Sequence, residues 1–431
     1  MNEQIDKNRC RRMRIMVLWG VMALILFSGI HRIYRSIPNT LYVDENEADA
    51  LRLIDRTPWV TTEDAVAATS GDSYTISCKL WNIIPLKTVT ISKVETGEVA
   101  VSGKHAGIYL EMDGILVIDT EKIVTASGEE IAPAEGILEK GDYIKSVDGQ
   151  VLEGKKELVS YMKESNGEPV TITFIRKGQE ESAEITPVCG TDEAYKLGIW
   201  VRDNAQGIGT LTYITSEGAY GALGHGVSDG DTGENIGIRS GDLYTSEIIA
   251  IEKGRFGKPG ELQGVINYGD STHLGSITAN TSSGIFGNID ENQLDNLVCD
   301  WYPVAFKQEL HQGNAAILCT IGEETKEYTA EIEEIYWCPS EINKCFSIHV
   351  TDGELLEATG GIVQGLSGSP ILQDGKIVGA VTHVLVNDPT RGYGIFIESM
   401  MDTTRKIIEK KIDILKVNTY NMLCIRRTNC L

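Results

Sequence analysis

The chain has 431 residues, more than one ordinary hydrophobic core organises, which points to two or three domains. Its net charge of −23 conceals a basic start, because residues 1–35 hold seven Lys/Arg against two acidic residues and leave −28 on the remainder. An acidic body without a basic, aromatic-studded stripe repels phosphate backbones, which excludes nucleic acid as a partner.

Ile15 to Ile30 is an uncharged apolar run of sixteen residues, with Lys7, Arg9, Arg11, Arg12 and Arg14 before it and His31, Arg32 and Arg35 after it. Allowing Arg14 to snorkel extends the run enough for a short membrane span, for which about 17 to 25 residues are needed. Basic flanks stay cytoplasmic, so the rest of the chain is expected on the other side. A cleavable signal peptide is the competing reading. Lacking a small-x-small site after the run, the segment reads as an uncleaved signal anchor.

Residues 36 to about 72 are polar and acidic (DENEAD at 44–49) with a short helical candidate near 48–54, and read as a stalk. SYTISCKLW and KTVTISKVE then suggest two strands of a small β unit broken by Pro85. Nine cysteines follow no CxxC pattern, which argues against a structural zinc site, and an odd number cannot all pair internally. Cys338 and Cys345 are spaced to bridge a hairpin, although free buried thiols are preferred.

From about Glu98 to Pro187 the chain resembles a PDZ domain. Gly107, Ile108, Tyr109 and Leu110 sit where that family places its carboxylate-binding loop. GILVIDT follows as a strand, ILEKGDYIKSVDGQ as a hairpin turning at Gly141-Asp142, KKELVSYMKES as an amphipathic helix and VTITFIRKG as a closing strand. Such a domain takes a peptide terminus as an added strand. A spacer with an unused groove is the plainer alternative.

Between about 198 and 397 lie glycine-punctuated short strands, the pattern of an all-β barrel or sandwich. An amphipathic helix follows, with Met401, Ile407, Ile408, Ile412 and Leu415 on its apolar stripe. Within this region GLSGSP at 365–370 is close to the G-D-S-G-G-P turn of trypsin-like peptidases. Ser367 is the candidate nucleophile, and the amides of Gly365 and Ser367 are the candidate oxyanion hole. His225, in the glycine-flanked ALGHGVSD, is the leading base, 142 residues before Ser367. His383 is its main rival, ahead of His273, His311 and His349. The acid that would orient the imidazole is open between Asp352, Asp229 and Asp231, and geometry has to choose.

Together these pieces resemble the stage IV sporulation protein B family, a peptidase family with a signal anchor, a PDZ domain and a serine-peptidase domain. The resemblance rests on ALGHGVSD, on RFGKPGEL at 255–262 and on TGGIVQGLSGSPILQDGKIVGAVTHVLVNDPTRGYGIFIE at 359–398. It implies His225 as base, Ser367 as nucleophile and Asp352 as acid, with no metal or cofactor. It further implies an enzyme exported between forespore and mother-cell membranes that cleaves itself and a membrane-bound regulator, leading to activation of a late mother-cell sigma factor. The PDZ module would govern self-association and substrate delivery.

The expected architecture is mainly β. It comprises a basic tail and transmembrane anchor (1–35), a stalk and small β unit (36–97), a PDZ-like domain (98–190), a trypsin-like double β-barrel serine peptidase with a C-terminal helix (195–417) and a tail (418–431). A quality-control protease of the high-temperature-requirement type is the second enzyme reading, although there the PDZ domain follows the catalytic one. A catalytically silent, membrane-tethered PDZ scaffold is the non-enzymatic alternative.

Overall fold

The computed structural model describes residues 2–43, 54, 57, 59–70, 73–94 and 97–411, with the backbone path alone for 2–12 and 63–70. The acidic patch at 44–49, Ile412 and Leu415 of the helical stripe, and the tail from 418 lie outside these. A single helix, Asn2–Ser36, opens the chain. Within its Met13–Ser36 part an 18-residue window has a mean hydropathy of 2.0, and none of that window is buried inside the protein.

The segment expected as a stalk is in part a packed β unit. Strands Thr40–Val43 and Val60–Ser70 form the two edges of a four-stranded sheet whose inner strands are Ile84–Lys93 and Ser73–Leu80. Ile37, Leu41, Val43, Ile76, Val89 and Ile91 are buried together there. The polar composition of 36–72 masked this because only alternate residues of a two-faced sheet need to be apolar.

Two closed six-stranded barrels carry most of the remaining chain. The first runs His105–Thr120, Ile199–Ile214, Ala219–Ala222, Gly284–Ile289, His273–Thr281 and Ile238–Glu252, and the last strand pairs back onto the first. The second is built in order from Gly313–Ile321, Glu324–Ile335, Phe346–Val350, Pro370–Gln373, Lys376–Leu385 and Asp388–Phe396. A helix over 397–411 ties them together. Its Thr404 hydroxyl lies 2.7 Å from the buried Tyr213 hydroxyl of the first barrel, and its Met400, Met401 and Ile407 pack on the core of the second.

The PDZ-like module is inserted into the first barrel rather than placed before it. Strands His105–Thr120 and Ile199–Ile214 leave the barrel side by side, and their pairing is broken between Arg202 and Asn204, opposite Asp113 and Gly114. Beyond that break the same two strands join Tyr143–Val147, Val170–Arg176, Gln179–Ile185 and the helix Lys155–Glu164. A separate core of Ile115, Val117, Ile144, Leu158, Met162 and Phe174 fills this module. Asp142 is held in it by Arg176, whose Nε and Nη2 donate at 2.9 and 2.6 Å.

This placement corrects the assignment of Gly107, Ile108, Tyr109 and Leu110 to a peptide-binding loop. They form a central barrel strand, with Gln206 and Asp242 flanking Tyr109 and with Gly207 and Leu243 flanking Ile108. Both backbone edges are consumed by these ladders, so no N–H is left to face a peptide terminus. Ile108 and Leu110 are buried in the barrel, and a Cβ at Gly107 would lie 2.5 Å from Ile266. The glycine therefore serves close strand packing.

Cys78, Cys189, Cys299, Cys319, Cys338 and Cys345 are free thiols. Cys338 donates to the Ile37 carbonyl and Cys345 to the Ile342 carbonyl, so the hairpin bridge is not made.

Candidate active site between the barrels

Ser367 stands in a turn connecting the short strand Val363–Gln364 to Pro370–Gln373. Within it Ser369 N–H donates to the Leu366 carbonyl at 3.0 Å and Gly368 N–H to Val381 at 2.7 Å. Gly365 and Gly368 have φ of 100° and 96°, which residues with a Cβ rarely adopt. At Gly368 a Cβ would lie 2.1 Å from the Thr210 carbonyl oxygen. The glycine is thus required by the opposite barrel as well as by the bend.

That opposite barrel grips the turn through two buried threonines that sequence reasoning did not single out. Thr210 donates its N–H to the Ser367 carbonyl at 3.0 Å and its hydroxyl to Gly365 at 2.7 Å, while the Thr212 hydroxyl donates to Gly368 at 2.7 Å. Both threonines are 0% exposed. The sequence signal was faint, because threonine in a strand is ordinary and nothing local says what it faces.

His225 comes from the same barrel, after Ala219–Ala222, through a backbone that passes Leu223 and Gly224 both at φ 69°. A positive φ at a buried leucine costs about 1–3 kcal/mol and persists where surrounding structure enforces it. Here Leu223 N–H is bound to the Thr210 carbonyl at 3.2 Å. His225 Nδ1 lies 2.8 Å from the Gly226 carbonyl. A carbonyl only accepts, so Nδ1 carries the proton and Nε2 is left as the basic nitrogen. Burial, aided by the neighbouring His383, lowers the His225 pKa against the opposing Gly226 hydrogen bond.

His225, Ser367 and His383 line one cleft of about 680 Å³ between the barrels. The two imidazoles meet edge-on with centroids 4.9 Å apart. Ile208, Ile362, Val363, Val384 and Val386 make much of its wall apolar, with Asn235, Ser282 and Asn343 adding polar groups. A second groove of about 690 Å³ continues it past Gln206, Gly207, Gln364 and Gly365 along Glu261–Ile266. Ser367 Oγ donates to the Thr382 carbonyl at 2.7 Å.

The three candidate acids lie elsewhere. Asp352 caps the helix Gly353–Thr359, accepting from Glu354 and Leu355 N–H at 2.9 and 3.1 Å and from Thr329 N–H at 3.2 Å. Asp229 and Asp231 both bind Arg202. Among the described residues no carboxylate hydrogen-bonds to His225, and the Gly226 carbonyl holds the imidazole instead. The spacing could not reveal this, since an Asp before a short helix satisfies the capping pattern and the orienting role equally well.

The family model described as SpoIVB peptidase S55 matches residues 193–401. Over that stretch, just under half of the chain, the sequence is that of a serine-peptidase domain similar to this family. The match begins after most of the inserted module, so strand His105–Thr120 completes the S55 barrel from outside the matched stretch. Among solved structures the chain is similar to the PDZ domain of the SdrC-like protein from Listeria monocytogenes (23% identity over 21% of this chain and 87% of that one, TM-score 0.17). It is also similar to the corresponding PDZ domain from Listeria innocua (27% identity over 21% and 94%, TM-score 0.18). The active form of a protease from M. tuberculosis aligns at 14% identity over 45% of this chain and 70% of that chain, with a TM-score of 0.27. No curated protein matches the chain.

In this peptidase the groove of the PDZ-like module lies between the helix Lys155–Glu164 and residues 195–201. It is a cavity of about 230 Å³ walled by Leu158, Val159, Met162, Leu197, Ile199 and Val201. The edge of Ile199–Arg202 turned away from strand His105–Thr120 has no strand partner among the described residues. Strand Ile199–Ile214 therefore borders this groove at one end and the cleft lined by His225 and Ser367, at Ala205–Ile208, further on.

Proposed function

We propose that the protein is a membrane-anchored serine endopeptidase in which Ser367 is the nucleophile and His225 the general base. The observation that carries the reading is the convergence of Ser367, from the second barrel, and His225, from the first, on one cleft. In the proposed cycle the Ser367 hydroxyl rotates from the Thr382 carbonyl toward His225 Nε2 and attacks the scissile carbonyl as Nε2 takes its proton. Amides of the glycine-rich turn, those of Gly365 and Ser367, receive the oxyanion. His225 returns the proton to the leaving amine, and water then resolves the acyl-enzyme by the same route. No metal or cofactor enters this cycle.

The substrates proposed are those of the resemblance: the enzyme's own N-terminal region and a membrane-bound regulator, cut in sporulation signalling between forespore and mother cell and leading to activation of a late mother-cell sigma factor. Exposure of the apolar helix Met13–Ser36 supports a single-pass anchor, with the barrels in the space between the two membranes. A peptide terminus is proposed to add to the open edge of Ile199–Arg202, which would bring substrate or a second copy beside the cleft.

The test is to incubate the full chain in detergent beside its Ser367→Ala form and to follow intact masses. Discrete N-terminal trimming in the wild type alone is the expected outcome. Equal trimming of both proteins would remove Ser367 from the mechanism.

A further inference from the structure

The four-stranded sheet next to the anchor exposes an apolar tip that the peptidase does not use. Hairpin Ser73–Leu80 and Ile84–Lys93 turns through Trp81, Asn82 and Ile83, and Trp81 N–H is bound to the Trp59 carbonyl at 2.8 Å. Trp59, Trp81, Ile83 and Ile84 are 63%, 51%, 79% and 44% exposed. Four large apolar side chains gathered at one loop tip are costly in water and mark a contact surface.

The strand register fixes where this tip points. Thr40–Val43 leads away from the helix end and pairs in parallel with Ile84–Lys93, Thr40 facing Thr90. The start of Ile84–Lys93 is therefore directed back toward the side from which the helix arrives. Lys87 marks the common level: its ammonium donates to the Ile37 carbonyl and lies 4.7 Å from the Tyr34 ring centroid. From Lys87 to Ile84, where the strand begins, the chain descends about 10 Å at roughly 3.3 Å per residue. From Tyr34 to Ile30, the last uncharged residue of the span, the helix descends about 6 Å at 1.5 Å per residue. The tip thus reaches below the level at which the apolar span begins. Partial covering of Ile30, Ile33 and Ser36 along one helix face agrees with the sheet lying alongside.

We infer that this hairpin tip is a second membrane contact, inserting Trp59, Trp81, Ile83 and Ile84 into the outer interface of the bilayer that the N-terminal helix spans. The occupant is the lipid interface, where indole rings place an apolar body in the acyl region and an N–H among the headgroups. Two points of attachment fix the small sheet, and with it the start of the peptidase, against the membrane surface rather than leaving them on a swivel. The inference rests on the anchor reading of Met13–Ser36.

The chain has six tryptophans, at 19, 59, 81, 200, 301 and 337. Three full-length proteins, each keeping Trp19, Trp81 or Trp200 alone with the others changed to Phe, are reconstituted in phosphatidylcholine vesicles brominated near the headgroup end of the acyl chains. Labelling of Ser367 by a phosphonate checks that each is folded. Trp81 emission is expected to shift to the blue and to be quenched by bromine, as is that of Trp19, while Trp200 on the PDZ-like module is not quenched. An added Ile83→Asp change should reverse the Trp81 effect and leave Trp19 quenched in its own protein. Quenched Trp19 with unquenched Trp81 overturns this inference alone. Unquenched Trp19 overturns the anchor reading and the inference with it. A blue-shifted but unquenched Trp81 assigns the tip to a protein partner, such as a second copy, and also overturns it.

Discussion

The two barrels have the same number of strands but are built from the chain in different ways. All six strands of the second come from one run, Gly313–Phe396, so each finds a partner close in sequence. The first takes its opening strand from 105–112 and its next from 204–214, with the PDZ-like module between them. Its division of labour also differs. The second barrel supplies Ser367 on a turn bonded to its own Val381 and Thr382, while the first supplies His225 together with the threonines that grip that turn from the other side. The site is thus a product of the interface, and each barrel by itself is an incomplete half.

The predictions test that division. The largest effect falls on the second barrel's contribution: Ser367→Ala should lower turnover by about 10⁶-fold with the fold intact, as for loss of the nucleophile in a serine protease, measured by cleavage rate and circular dichroism. Next comes the insertion. Asp142→Ala removes the buried main partner of Arg176, which keeps only its longer contacts with Glu139 and Glu181, and should cost about 1–3 kcal/mol in the inserted module, seen as early loss of amide-exchange protection there. If the whole first barrel loses protection at the same denaturant concentration, module and barrel form one cooperative unit.

The first barrel's grip is tested by Thr210→Val, which removes the donor to the Gly365 carbonyl but keeps the backbone N–H to Ser367. A turn displaced by a fraction of an ångström should cost roughly 10²-fold in turnover. Phosphonate labelling of Ser367 should slow in parallel, and an unchanged labelling rate would show the turn to be rigid without this clamp.

A smaller effect is expected in pH dependence. As the proposed base His225 would act when neutral, and burial holds its pKa below the ordinary histidine value, so activity should persist on acidification until pH falls through that lowered value. His383→Ala removes the neighbouring imidazole that helps to lower the His225 pKa and opens the site to water. Both changes raise the His225 pKa, so the acid limb of the rate profile should move upward toward the ordinary value near 6.5. The smallest effect belongs to Asp352. As a helix cap it tolerates Asn, so Asp352→Asn should keep turnover within about tenfold and cost no more than a few tenths of a kcal/mol. A fall near 10⁴-fold, the size seen when a triad aspartate is so replaced, would instead show that the carboxylate meets His225 in the working enzyme.

Several features followed from the residues alone. The apolar helix Met13–Ser36, the mainly β character, and the helix and closing strand of the PDZ-like module are local patterns of hydropathy and turn chemistry and matched; the hairpin expected to turn at Gly141-Asp142 turns instead at Asp148-Gly149, between Tyr143–Val147 and Gln150–Val151. Ser367 and His225 were legible as candidates because nearby glycines declare a constrained turn, although the fold half-buries both side chains rather than exposing them. What was not legible depended on contacts between distant segments. Asp113-Gly114 has the composition of a turn, so the apolar stretches on either side looked like a loop and a strand. In the fold they are one strand passing from barrel to module, because its hydrogen-bond partners at 199–214 bridge the break. Asp352 could as well orient a histidine as cap a helix, and only the positions of Thr329 and the Gly353–Thr359 amides decided between the two. Periodicity records which face of an element is buried, while the identity of what covers that face is fixed only when the chain closes on itself.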